Sequence, residues 1–188
     1  MVGPIWHRYS CLVSIKMIVA HDRERGIGRA GQLPWSLPGE MKWLSTTTRK
    51  TTVPGRRNVL VMGRATYESL PLARRPLAGR LNTVVTSRPV SDAGVLTAAS
   101  LDAAMDAAVG SAEVEDVFVF GGGRIYEQAL KSLIPDELLV SVIDDVFECD
   151  TFLSTFPEAY ILQSSTVRTY DGTRVFHEVY RRATVDVG

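Results

Sequence analysis

Glu40 is the one acidic side chain in the run Leu33-Pro34-Trp35-Ser36-Leu37-Pro38-Gly39-Glu40-Met41-Lys42-Trp43-Leu44. Apart from Ser36 and Lys42, its neighbours there are apolar, aromatic, Gly or Pro. Pro38 suits the first turn of a helix, where its fixed φ fits and its missing N–H is not needed. Glu40 then falls in that turn, with Trp43 and Leu44 three and four residues on over the same face. Burying a carboxylate on such a face is costly unless something pairs with it. The competing reading is a first-turn glutamate that merely faces the helix dipole.

A second constellation is Val117-Phe118-Val119-Phe120-Gly121-Gly122-Gly123-Arg124-Ile125-Tyr126, a strand, a glycine turn and a helix start. Glycines let backbone approach a ligand, and the free N–H groups of a helix N-terminus suit a phosphate. The spacing is not GxGxxG, so a standard dinucleotide fingerprint is excluded. A plain strand-to-helix turn is the other reading. Arg64 and Arg88 likewise follow apolar strands, at Val61-Met62-Gly63 and Val85-Thr86-Ser87. Ligands of open α/β sheets bind beyond the carboxyl ends of the parallel strands. Arginines at three such ends point to a phosphorylated ligand such as a nucleotide.

These residues need elements to hold them. Residues 12–20 read as a buried strand, rich in aliphatic and β-branched side chains. Residues 22–32, with Gly26, Gly28 and Gly31 among charges, read as a flexible loop. Helices are predicted over 38–47, 65–70 (stopped by Pro71), 100–108 (capped by Ser100) and 124–133. Further strands are predicted at 58–62, 81–86, 95–98, 114–120 and 138–143. Residues 49–57 and 74–80 read as basic, turn-rich connectors. Period-two alternation at Val175-Phe176-His177-Glu178-Val179-Tyr180 predicts that 161–182 closes the chain as an antiparallel hairpin. The expected fold is one α/β domain. A mostly parallel sheet of about eight strands, with an antiparallel C-terminal edge, is flanked by about four helices.

Composition narrows the function. Lys plus Arg and Asp plus Glu both number 21, so formal net charge is zero. That removes the global electrostatic case for nucleic acid or an anionic membrane. No apolar run approaches a bilayer span. Residues 11–20 could pass for a weak signal peptide. However, Lys16 interrupts the run and His21-Asp22-Arg23 follows it, which favours a strand. Cys11 and Cys149 make neither a metal spacing nor a disulfide framework, as expected in a reducing compartment. His7, His21 and His177 show no metal spacing and receive no role.

Five segments in order now resemble the dihydrofolate reductase family. They are Ile27-Gly28; Leu33-Pro34-Trp35 through Glu40; Met62-Gly63-Arg64-Ala65-Thr66-Tyr67-Glu68-Ser69; Arg75-Pro76-Leu77-Ala78-Gly79-Arg80; and Gly121-Gly122-Gly123-Arg124-Ile125-Tyr126. Asp150-Thr151 is a weaker sixth. The resemblance implies a family domain over 14–188 after an extension over 1–13. It implies reduction of 7,8-dihydrofolate by NADPH, a cytoplasmic monomer, and binding of antifolate inhibitors. It implies no metal, nucleic-acid or membrane partner.

The same resemblance assigns roles residue by residue. Glu40 would be the active-site carboxylate, accepting two hydrogen bonds from the pterin in an apolar pocket that raises its pKa. Trp35 would hold ordered water beside it. Ser141 stands where a threonine bonds the carboxylate. Ile18 and Phe120 would aim carbonyls at the pterin amino group. Leu44, Leu70 and Leu77 would line the benzoyl wall, and Arg80 would pair with the α-carboxylate of the glutamate tail. Arg64, Ser87, Arg88 and Arg124 would surround the NADPH phosphates. Gly63, Ala65, Thr66, Gly122, Gly123, Ile125 and Tyr126 would complete that site. Ala20, Ile27 and Gly28 would meet the nicotinamide, under a mobile loop over 23–33.

The departures are Leu44 where most members carry Phe, a bulkier residue at Phe120, Ser141 without the threonine methyl, and the long basic loop over 49–57. A riboflavin-pathway pyrimidine reductase would share the fold but lack the Leu-Pro-Trp segment with Glu40. A non-catalytic binding protein would need neither Glu40 nor a closing loop.

Overall fold

The computed structural model describes residues 13–183 apart from Leu133. Residues 1–12 of the predicted extension, with His7 and Cys11, and the predicted end of the fourth helix at Leu133 lie outside the described residues. Along the chain run β1 (Ser14–His21), β2 (Gly26–Gly28), α1 (Pro38–Arg49), β3 (Arg57–Gly63), α2 (Arg64–Ser69), a 3-10 turn (Leu72–Arg74), β4 (Leu81–Val85) and β5 (Val95–Ala98). Then come α3 (Leu101–Val109), β6 (Val114–Gly121), α4 (Gly123–Lys131), β7 (Glu137–Ile143), β8 (Thr151–Phe152), β9 (Tyr160–Tyr170) and β10 (Thr173–Arg182).

Eight strands form one sheet in the order β5-β4-β3-β6-β1-β7-β10-β9. The pairs from β5 through β7 are parallel. β10 is antiparallel to both β7 and β9. The predicted class therefore holds, with β10 reversing direction between two strands that run the common way.

The sequence explains these strands. Central strands buried on both faces must be continuously apolar, and Val59, Leu60, Val61 and Met62 of β3 are all buried. So are Val117, Phe118 and Val119 of β6. One core packs α3 and α4 on one face around Met17, Met105, Val119 and Leu130. A second, around Leu60, Met62, Tyr67 and Phe118, takes Trp43 and Leu44 of α1 on the other.

Most boundaries moved by a residue or two, and three of the shifts are informative. α1 continues two residues past the predicted Thr47, to Arg49. There the Thr48 hydroxyl satisfies itself by donating to the Leu44 carbonyl (2.9 Å) rather than breaking the ladder. α2 begins at Arg64 with no linker after β3. The loop predicted over 22–32 is not wholly irregular, because β2 within it pairs antiparallel with β8. Asp22 makes that possible. Its carboxylate accepts from the backbone N–H groups of Gly26 (2.7 Å), Glu24 (2.9 Å) and Phe147 (2.9 Å). The Ser100 cap is present as predicted, its Oγ accepting from Ala103 N–H at 3.1 Å.

Candidate active site

A cleft opens where the carboxyl ends of β1 and β6 meet the start of α2, the place expected for a ligand on a sheet of this kind. Its lining includes Ile18, Ala20, Ile27, Gly28, Glu40, Leu44, Ala65, Thr66, Leu70, Phe120, Gly122, Gly123 and Tyr126. Thirteen residues named from sequence thus share one cavity. Trp35, Gly63, Arg64, Leu77, Arg80, Ser87, Arg88, Arg124, Ile125 and Ser141 do not line it.

Glu40 is 2% exposed. Burial raises its pKa above the usual carboxylate range, and hydrogen bonding from Ser141 opposes the rise. No cation lies against it in any ion pair among the described residues. A buried, unneutralised carboxylate at a cleft is a group held for a ligand rather than for the fold. Of the two readings of Glu40, the dipole alone is therefore insufficient. Trp35, 8% exposed, keeps its Nε1 donor without an acceptor among the described residues.

Behind Glu40 lies a feature that sequence reading missed. Ser141 on β7 faces His177 on β10 directly across the antiparallel pair. Ser141 Oγ is 3.1 Å from His177 Nδ1, and Tyr170 Oη is 3.0 Å from His177 Nε2. The imidazole stacks on Trp43, with ring centroids 4.0 Å apart. Burial lowers the His177 pKa to about 4, helped by Arg168, so the ring is neutral near neutral pH. His177 has no motif around it. Only its inward place in the β10 alternation could have marked it.

Tyr126 holds the floor of the cleft. Its hydroxyl is 2.8 Å from both the Ile18 and Phe120 carbonyl oxygens. Each carbonyl keeps a second lone pair for another donor. Gly121 has φ of +125°, a conformation suited to glycine. A Cβ on Gly122 would come within 2.9 Å of Thr66 Oγ1, so α4 starts pressed against α2. α4 has no side-chain cap, which leaves its first N–H groups to a ligand or solvent.

The arginines divide. Arg64 is tied down by Glu68 (2.7 Å) and by the Arg88 carbonyl (3.1 Å). Arg88 and Arg124 are exposed and make no ion pair among the described residues. Arg80 sits on a turn clamped by buried Asn82. Asn82 Oδ1 accepts from Leu77 N–H, and its Nδ2 donates to the Leu77 and Arg80 carbonyls, all near 3 Å. The Arg80 guanidinium donates to Thr48 Oγ1 at 2.9 Å and meets no carboxylate among the described residues. Burial and the charge of Arg49 lower its pKa to about 10. Two cations close together without an anion favour an acidic ligand.

Comparison with known proteins agrees with this layout. The family model described as dihydrofolate reductase matches residues 14–182. The dihydrofolate reductase of Drosophila melanogaster is 38% identical over 152 residues, covering 79% of this chain and 84% of that protein. The one from Aedes albopictus is 38% identical over 148 residues, covering 76% and 78%. The bifunctional dihydrofolate reductase-thymidylate synthase of Daucus carota is 40% identical over 151 residues. This chain covers 77% of its own length in that match but only 29% of the carrot protein. No helix among the described residues is long and apolar enough to cross a membrane. With Glu40, the glycine turn and the Arg80 turn in one α/β frame, the chain belongs to the dihydrofolate reductase family.

Proposed function

We propose that this chain reduces 7,8-dihydrofolate to tetrahydrofolate with NADPH. The observation that carries it is Glu40, a buried carboxylate with a raised pKa and no ion-pair partner among the described residues, opening on a cleft walled by Leu44, Leu70 and Phe120. An apolar slot with one acid at its end suits a flat heterocycle bearing paired N–H donors. The raised pKa favours the protonated form of Glu40 relative to a solvated glutamate, the direction that supplying a proton to the pterin ring requires. The unmatched Trp35 Nε1 supports a water held beside that acid. Arg80, on its Asn82-clamped turn, would receive the glutamate tail.

The residues at the other end of the cleft fit a dinucleotide. The Gly121–Gly123 turn allows close approach, the first N–H groups of α4 have no side-chain cap, and Arg88 and Arg124 make no ion pair among the described residues. Thr66, Gly122, Gly123, Arg88 and Arg124 would hold the phosphates, and Ala20, Ile27 and Gly28 the nicotinamide side. When bound there, NADPH supplies the hydride. Arg64 contributes less, because Glu68 already neutralises it. Both ends of the cleft come from one chain, which supports action as a monomer. The lone described thiol, Cys149, suits a reducing cytoplasm. Antifolates would occupy the pterin end against Glu40.

The test follows the absorbance of NADPH with purified protein and dihydrofolate, beside a Glu40→Ala control. Loss of absorbance that needs dihydrofolate and disappears in the control is the expected result. NADPH binding without turnover in the parent would overturn the proposal.

A further inference from the structure

The geometry points to His177 as a positioning residue that orients the Ser141 hydroxyl in step with the charge on Glu40. This rests on the role proposed for Glu40 above.

Ser141 has one proton to give. It can go to Glu40 or to His177 Nδ1, not to both. When Glu40 is ionised, its buried carboxylate needs that proton. His177 must then carry its own proton on Nδ1 and donate to Ser141 Oγ, while Tyr170 O–H donates to the bare Nε2. Every donor and acceptor in the row is used. When Glu40 is protonated, it becomes a donor and the row reverses. Glu40 O–H then donates to Ser141 Oγ, Ser141 to Nδ1, and Nε2–H to Tyr170 Oη. A neutral imidazole presents a donor and an acceptor on opposite sides in either tautomer, so it can serve both states. A ring that served only as packing would need neither nitrogen bonded, yet both are, at 3.1 and 3.0 Å.

The row is held from several sides. Trp43 of α1 stacks on the imidazole. A Cβ on Gly39 would strike the Tyr170 ring, so that glycine lets Tyr170 lie against the first turn of the helix that carries Glu40. Tyr126 from α4 and Tyr170 from β9 both feel the charge of Glu40, which disfavours their ionised forms. Arg168 of β9 faces His177 and disfavours its cationic form. A neutral ring at working pH is what the switch requires.

Nitrogen-15 NMR of histidine-labelled, full-length protein reads the tautomer without turnover. The expected result is a proton on Nδ1 at high pH, moving to Nε2 as Glu40 protonates, with the ring neutral throughout. Carbon-13 NMR of Glu40 supplies the second arm. His177→Phe keeps a ring on Trp43 but removes both bonds. Bonds to the charged form are the stronger ones, so its loss should raise the Glu40 midpoint by about half a pH unit or more. His177→Asn, which returns a donor and acceptor to Ser141, should bring the midpoint back. The pH profile of turnover should move with it. A fixed Nε2–H tautomer at all pH, or a Glu40 midpoint unchanged in His177→Phe, overturns the inference. Because both spectra are read without substrate, they stand apart from any failure of dihydrofolate to turn over. If His177→Phe does not fold, the tautomer in the parent decides alone.

Discussion

The two ends of the cleft are built on opposite principles. At the Glu40 end, function rests on side chains that the fold would be more stable without. A carboxylate is 2% exposed, its pKa is raised by burial, and an imidazole behind it is pushed to about 4. At the Gly121–Gly123 end, function rests on the absence of side chains and on backbone N–H groups of a helix start. The first end pays in electrostatics and can be tuned by pH. The second is a matter of space, indifferent to pH and intolerant of even a methyl group.

The largest expected effect comes from Glu40→Gln. Turnover should fall by about 100-fold or more, the scale of a lost general acid. Stability should move the other way. The folded pKa lies above the ordinary 4.5, so folding disfavours ionisation and stability declines as pH rises through the folded value. Glutamine removes that penalty, and thermal melts at neutral pH should show a higher Tm. A lower Tm would mean that Glu40 supports the fold, and the contrast between the two ends would collapse. Next is Gly122→Ala, whose Cβ would sit 2.9 Å from Thr66 Oγ1. NADPH affinity should drop on the order of tenfold from overpacking, with dihydrofolate affinity nearly kept. Calorimetric titration that finds both ligands equally weakened would show that the ends are not separable.

A smaller effect is expected at Arg80. Arg80→Ala should raise the KM for dihydrofolate several-fold, on the order of 1 kcal/mol, with kcat little changed. Steady-state kinetics that show kcat falling instead would move Arg80 from tail binding to chemistry. Smallest is an acid effect on the fold. His177 titrates near 4 when folded and near 6.5 when unfolded, so the unfolded chain binds the extra proton and stability falls as pH drops through that window. His177→Phe should flatten that slope in urea melts at several pH values. An unaltered slope would place the acid sensitivity elsewhere.

Much of this was legible in the chain because the relevant residues announce themselves locally. The apolar runs of β3 and β6, Pro38 before α1, Ser100 before α3 and the triple glycine all act within a few residues of where they stand. What escaped is long-range. His177 acquires meaning only when β10 brings it opposite Ser141, 36 positions earlier in the chain. The glycine loop over 22–32 reads as flexible from sequence because the ties that form β2 come partly from Phe147 and β8, over a hundred positions later. Arg64 looked equivalent to Arg88 and Arg124, yet Glu68 lies one helical turn away and claims it.

The sheet order carries a consequence for how the chain can assemble. β1 is made first, yet it lies between β6 and β7. Four other strands are made before β6, and β10, which carries His177, comes last of the described strands. Ile15, Met17 and Ile18 must therefore wait in a growing chain with no sheet to enter. Low-contact-order nucleation at the N-terminus is closed to this topology. The sheet closes only after β7 and β10 have been made, so β1 waits through most of the sheet for its two partners.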